Sequence, residues 1–116
     1  MVRFIVLWKN TPTDVSAFER HYREVHVPLA KKLAGLRRYT LSRDASVVRG
    51  EVSHYCIAEL DWDDMASLRR AFESPEGRAV AEDVAKLAEL SPDPRSEIYE
   101  LEDVEPGCGH FCSVAA

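Results

Sequence analysis

Two histidines, His21 and His26, stand five residues apart in the stretch HYREVHVPL, with Pro28 just beyond the second. An imidazole titrates near neutrality, so either ring can take up or release a proton at physiological pH. On a regular helix five residues turn the chain by about 140°, which sets the two rings on opposite flanks of the apolar stripe, unable to share one small ligand. By the same count His26 lies nearer the centre of the apolar face, by roughly 30°, and His21 near its edge. Pro28 has no N–H and its ring crowds the carbonyl of Glu24. A kinked or loosened turn over 24–28 is therefore expected beside His26.

A second set of candidates lies in SHYCIAELDW, where His54, Cys56, Ala58, Leu60 and Trp62 alternate onto one face of a predicted strand. If helices cover that face, His54 enters the same space as His26. Two such imidazoles in a mostly apolar cavity, walled by Trp8, Tyr22, Cys56 or Phe72, could serve as general base and general acid on a small hydrophobic molecule. The same pattern also fits His26 as a hydrogen-bonded residue at the core edge and His54 as a solvent-facing strand end. Cys56 reads as a small core residue, since nothing near it in sequence marks a lowered thiol pKa. The carboxylates Asp61, Asp63 and Asp64, and Glu100, Glu102 and Asp103, read as solvated turn and strand-edge charges. No P-loop, GxGxxG turn, HExxH or GxSxG elbow occurs, so no cofactor is expected.

These side chains need elements to hold them. RFIVLWK is a β-branched and aromatic run that predicts a first strand at about 2–9. From Asp14, the residues Val15, Phe18, Tyr22, Val25 and Leu29 follow helical spacing to about Leu33, with Asp14 or Ser16 as cap and Gly35 as stop. LRRYTLSR predicts a second strand and SHYCIAELDW a third. Asp63 or Asp64 opens a short helix carrying Met65, Leu68 and Phe72 on one face. SPEG then restarts it with Ser74 as cap and Pro75 at the first helical position, and Val80, Val84 and Leu87 continue the stripe. SEIYELED supplies a last strand. The order βαββαβ predicts an α+β, ferredoxin-like domain: a four-stranded antiparallel sheet with both helices on one face. The first strand is apolar on both sides, with Phe4, Val6 and Trp8 on one and Ile5 and Leu7 on the other. One helix layer covers only one of them, so a second copy of the chain is expected on the other.

Composition narrows the function class. The chain has 116 residues, 46% of them hydrophobic, enough for one domain with its own core. Fifteen basic residues scattered among 20 acidic ones give a net charge of -5, which leaves no basic face for nucleic acid. The apolar start is too short for a signal peptide and no run approaches the roughly 20 residues of a membrane span, so a cytoplasmic, soluble protein is expected. Three cysteines, two of them near the C-terminus, do not make a secreted disulfide framework.

The stretches FERHYREVHVPLAKKLAGLRRYTLSR and YCIAELDWDDMASLRRAFESPEGRAVAEDVAKLA resemble the EthD family, over about residues 2 to 104. The HYxxxHxPL block, the GLRRY strand entry, the AEL strand end and the SPEG helix opening carry the likeness together. The resemblance implies a ferredoxin-like monomer, spanning 1–104, that pairs into a dimeric α/β barrel. It also implies cofactor-free chemistry on aromatic, lactone or polyketide-like molecules, by isomerases, lyases or cyclases, with His26 as the pocket acid/base. The departure is the tail 105–116, where Cys108, His110 and Cys112 offer three soft ligands in five residues. The tail admits three readings: a flexible end, a metal or redox site, or a peptide that the folded domain presents for modification. On the last two the domain would be a scaffold or carrier rather than an enzyme.

Overall fold

Residues 1–51 and 54–105 are described by the computed structural model. The apolar start forms β1, Val2–Trp8, in the centre of the sheet. It pairs antiparallel with β3, Cys56–Trp62, from Val2 opposite Trp62 to Trp8 opposite Cys56. On its other side it pairs with β4, Arg95–Glu100, and β2, Arg38–Ser42, lines up against β3 to complete the order β2-β3-β1-β4. This is the ferredoxin-like α+β arrangement that the element order predicts, with every neighbouring pair antiparallel.

The helices begin where short polar side chains can accept the free N–H groups of a first turn. Asp14 caps α1, Val15–His21, by accepting from Ala17 N at 3.0 Å. A π-helical turn over Tyr22–His26 follows, and α2, Val27–Ala30, resumes the regular bonding. Asp64 caps α3, Met65–Glu73, through Ser67 N at 2.7 Å. Ser74 caps α4, Pro75–Ala88, through Gly77 N at 3.1 Å, with Pro75 in the first turn where its missing N–H costs nothing.

The pleat gives the sheet two unlike faces. Val2, Val6, Trp8, Cys56, Ala58, Leu60 and Trp62 all turn to the helices and are buried with Phe18, Tyr22, Leu68 and Leu87. On the opposite face, Ile5, Leu7 and Ile57 are half-buried in the single chain. Between them Arg3 clamps Asp61 with two bonds of 2.8 and 3.0 Å and also reaches Glu59 at 2.9 Å. The apolar residues of β1 on both faces are thus real, and the helices cover one face.

Several boundaries differ from expectation, and the first helix, expected to reach about Leu33, ends with α2 at Ala30. The third strand starts at Cys56, not at Ser53, so His54 precedes it; Tyr55 N still donates to Trp8 O at 2.8 Å at the strand's mouth. The last strand runs from Arg95 to Glu100 and stops short of Asp103. Cys108, His110 and Cys112 lie outside the described residues. Among the described residues no group of three or more His, Cys, Asp or Glu side chains is placed to hold a metal, and no helix is long and apolar enough to cross a membrane.

Gly77 sets how closely α4 follows α3. A Cβ at that position would fall inside contact distance of the backbone carbonyl oxygens of Ala71 and Phe72, which cannot swing away as a side chain can. Gly77→Ala should therefore lower stability by about 1–3 kcal/mol, the usual cost of overpacking, seen as a reduced urea midpoint with unchanged slope. An unchanged midpoint would show that the two helices separate without cost.

Candidate functional site

The site is built around the break in the first helix. Pro28 cannot donate to Glu24 O, and the chain absorbs the missing bond upstream, where Val27 N reaches back five residues to Tyr22 O. A turn widened to five-residue spacing brings residues i and i+5 above one another. His21 and His26 are in that relation, and both reach the same carboxylate. His21 Nε2 lies 2.7 Å from Asp83 Oδ1, and His26 Nδ1 lies 2.8 Å from Asp83 Oδ2. The separation of about 140° computed for a regular helix is thereby corrected: the π turn removes it. His21 does lie at the edge, with its side chain 31% exposed, but it belongs to the cluster.

Asp83 comes from α4 and is 3% exposed, as deeply buried as its neighbours Val80 and Leu87 on the same helix face. A carboxylate oxygen only accepts, so both imidazole nitrogens facing it carry hydrogens. That assigns the tautomer of His26: Nδ1–H donates to Asp83, and Nε2 keeps its lone pair. Among the described residues Nε2 has no hydrogen-bond partner. Burial pushes the His26 ring below its ordinary value of 6.5, against the opposing pull of Asp83, and the ring is therefore neutral when the site is at rest.

His26 forms part of the wall of a cavity of about 190 Å³ between the helices and the sheet. Phe4, Val6, Ala58 and Leu60 make its floor, Tyr22 and Ala30 share the first-helix wall with His26, and Phe72, Val80 and Val84 close the far side. Tyr39 of β2 and Ser96 of β4 add polar atoms at its two flanks. Burial pushes the hydroxyls of Tyr22 and Tyr39 above the ordinary phenol value, so both remain donors.

Of the residues the sequence singles out, His26, Tyr22 and Phe72 meet around this cavity. Trp8 and Cys56 are completely buried behind it and are not among its lining residues; Trp8 packs edge-on to Tyr22 with ring centres 6.3 Å apart. Burial raises the Cys56 thiol above its ordinary value, which leaves no thiolate for nucleophilic attack. His54 is half-buried ahead of β3 and does not line the cavity, because the strand that would have aimed it there begins two residues later. Asp83 and Tyr39 escape the sequence reading. Asp83 left one signal, an acidic residue on the apolar stripe of its helix, three after Val80 and four before Leu87. Tyr39 left none beyond its place in a strand.

The depressed His26 has a consequence for folding. Between pH 6.5 and its lower folded value the unfolded chain binds more protons than the folded one, so stability rises with pH across that window. The contribution is complete above pH 6.5 and is lost as acid drives the ring to charge. Urea midpoints measured from pH 7.5 downward should fall as pH passes through that window, and His26→Gln should flatten this part of the profile. A profile identical in the two proteins would mean that His26 titrates alike in both states.

The EthD domain matches residues 10–91 of the chain. A crystal structure of an EthD family protein from Bacillus halodurans is 34% identical, with a TM-score of 0.76 over 88% of this chain and 99% of that one. An uncharacterized 11.0 kDa protein from the thcB-thcC intergenic region of Rhodococcus erythropolis is 35% identical over 88 residues, 76% of this chain and 84% of that protein. SnoaB, a cofactor-independent oxygenase from Streptomyces nogalater, shares the fold at 21% identity, with a TM-score of 0.61 over 90% of this chain and 96% of its own. With the domain match spanning most of its length and the Bacillus structure aligned almost end to end, this chain belongs to the EthD family.

Proposed function

We propose that the protein is a cofactor-independent enzyme that removes and returns a proton on a small, mostly apolar molecule held between helix and sheet. The observation that carries this is the 2.8 Å contact from His26 Nδ1 to buried Asp83 at the wall of an apolar cavity. It orients the ring, leaves Nε2 as a base, and stabilises the imidazolium that forms when Nε2 takes a proton. The electron pair left behind needs an oxygen to settle on, and the hydroxyls of Tyr22 and Tyr39 can donate to it. Returning the proton to the same carbon, to another carbon or to a leaving group gives racemisation, isomerisation or elimination, and the scaffold does not choose among them. Such a step is complete with the residues present, and SnoaB is a case of the same fold housing chemistry without a cofactor.

2-Tetralone, an apolar ketone with acidic C–H bonds, gives a direct assay. The protein should speed deuterium uptake from D2O into this ketone, followed by NMR, and His26→Gln should reduce the acceleration by about 10²–10⁴-fold with the circular dichroism spectrum unchanged. Asp83→Asn should also slow it, with a shifted pH profile, since Asp83 acts through His26. Exchange that is indifferent to His26 would overturn the reading.

The working unit is proposed to be a homodimer closed over the second sheet face. Ile5, Leu7 and Ile57 there are half-buried beside the Arg3–Asp61 clamp, an apolar surface with no helix over it. Light scattering should give twice the 13.1 kDa chain mass, and Ile5→Glu with Leu7→Glu should halve it. A monomeric native protein would contradict the arrangement.

A further inference from the structure

The sheet face that floors the cavity continues to the edge strand. The floor residues Ala58 and Leu60 pair across the sheet with Leu41 and Tyr39 of the edge strand, so the same surface runs on beyond the cavity. There a groove of about 360 Å³ opens between β2 and the first-helix segment, lined by Arg23, Val27, Lys31, Tyr39 and Leu41. Tyr39 belongs to both spaces and stands between them. We propose that the molecule bound in the cavity is an apolar carboxylic acid, whose carboxylate sits in this groove between Arg23 and Lys31 while its apolar part passes Tyr39 toward His26. This rests on the reading of the cavity as the reaction site and adds the class of its substrate.

Three observations support the placement. First, among the described residues neither Arg23 nor Lys31 forms a direct ion pair, although Arg23 lies near enough to Glu19 to help hold that carboxyl low. The nearby acid Glu19 is already matched, accepting from Arg43 Nη1 at 2.7 Å and from Tyr55 Oη at 2.6 Å. Second, the groove's remaining lining, Val27 and Leu41, is apolar, which suits a carboxylate on a hydrocarbon frame better than a strongly hydrated polyanion. Third, the charge is local, because the chain as a whole carries -5, and two cations at one mouth of an acidic molecule select an anion only at short range. The order of groups then fits the chemistry. An anion fixed outside Tyr39 orients the molecule along the floor, and its acidic C–H or O–H reaches the base deeper inside.

The test compares 2-naphthoate with its neutral isostere 2-naphthamide, titrated at pH 7 and low salt against the intact protein, with the His26 ring resonance as reporter. Naphthoate should bind about fivefold to tenfold more tightly, the gain expected of two partly exposed charge contacts. In Arg23→Gln with Lys31→Gln the two affinities should become equal while that of naphthamide stays where it was. Equal affinities in the native protein, or a preference that survives the double substitution, would overturn the anion subsite and leave the cavity standing. If neither compound moves the His26 resonance, the cavity reading falls and the subsite with it.

Discussion

A carboxylate that is 3% exposed is the constraint around which this structure is arranged. Leaving such a group in the interior without partners costs several kcal/mol, and the protein meets that cost with two imidazole N–H donors at 2.7 and 2.8 Å. Both donors come from one helix, at a spacing that a regular α-helix would point apart. The helix must therefore widen between them, and the helix that carries Asp83 must lie close and in phase. The start of that helix is fixed separately: Gly77 admits the carbonyls of α3 against the first turn of α4, and Ser74 caps that turn. The catalytic candidate is thus fixed by the packing of two elements 57 residues apart in sequence, not by a local motif.

The pairing also decides which way the chemistry faces. Of His26's two nitrogens one is committed to Asp83, so the other is the one left with a lone pair on a residue that lines the cavity. His21 closes the carboxylate's other oxygen and is itself partly open to solvent, so the buried pair meets the surface on that side. The floor of the cavity is one face of the sheet, and the opposite face carries the Arg3 clamp and the apolar residues Ile5, Leu7 and Ile57. Period-two alternation along β1 and β3 separates these roles so cleanly that Val6 and Leu7, adjacent in the chain, serve the cavity and the outer face respectively.

The fold was legible because each of its elements carries a local signal. The caps at Asp14, Asp64 and Ser74 and Pro75 in a first turn all act within a few residues, and the structure uses each where the sequence suggests; Gly35 does turn the chain at positive φ, but the helix it is expected to stop already ends at Ala30. The site was legible only in part. His26 stood out through its neighbour Pro28, and Tyr22 and Phe72 through their apolar spacing. Asp83 required knowledge of which helix face meets which, a long-range fact that no local window holds. His54 was misplaced by a strand boundary: a start three residues early aims a side chain that in the structure precedes the strand, and alternation offers no check on where a strand begins.

Pro28 links the two scales. Its missing N–H would ordinarily be a defect in the middle of a helix, with one carbonyl left without a donor. Here the defect is relocated into a π turn, and the bond from Val27 N to Tyr22 O is the record of that shift. With an ordinary residue at this position the regular bonding would compete, and it would rotate His21 by about 140° from His26, leaving one oxygen of Asp83 without its donor. The local cost of the proline and the long-range cost of a buried carboxylate are therefore met by the same widened turn. A helix break and a buried acid, each unfavourable alone, become mutually consistent, and their joint product is a His26 at the cavity wall whose Nε2 is not spent on Asp83.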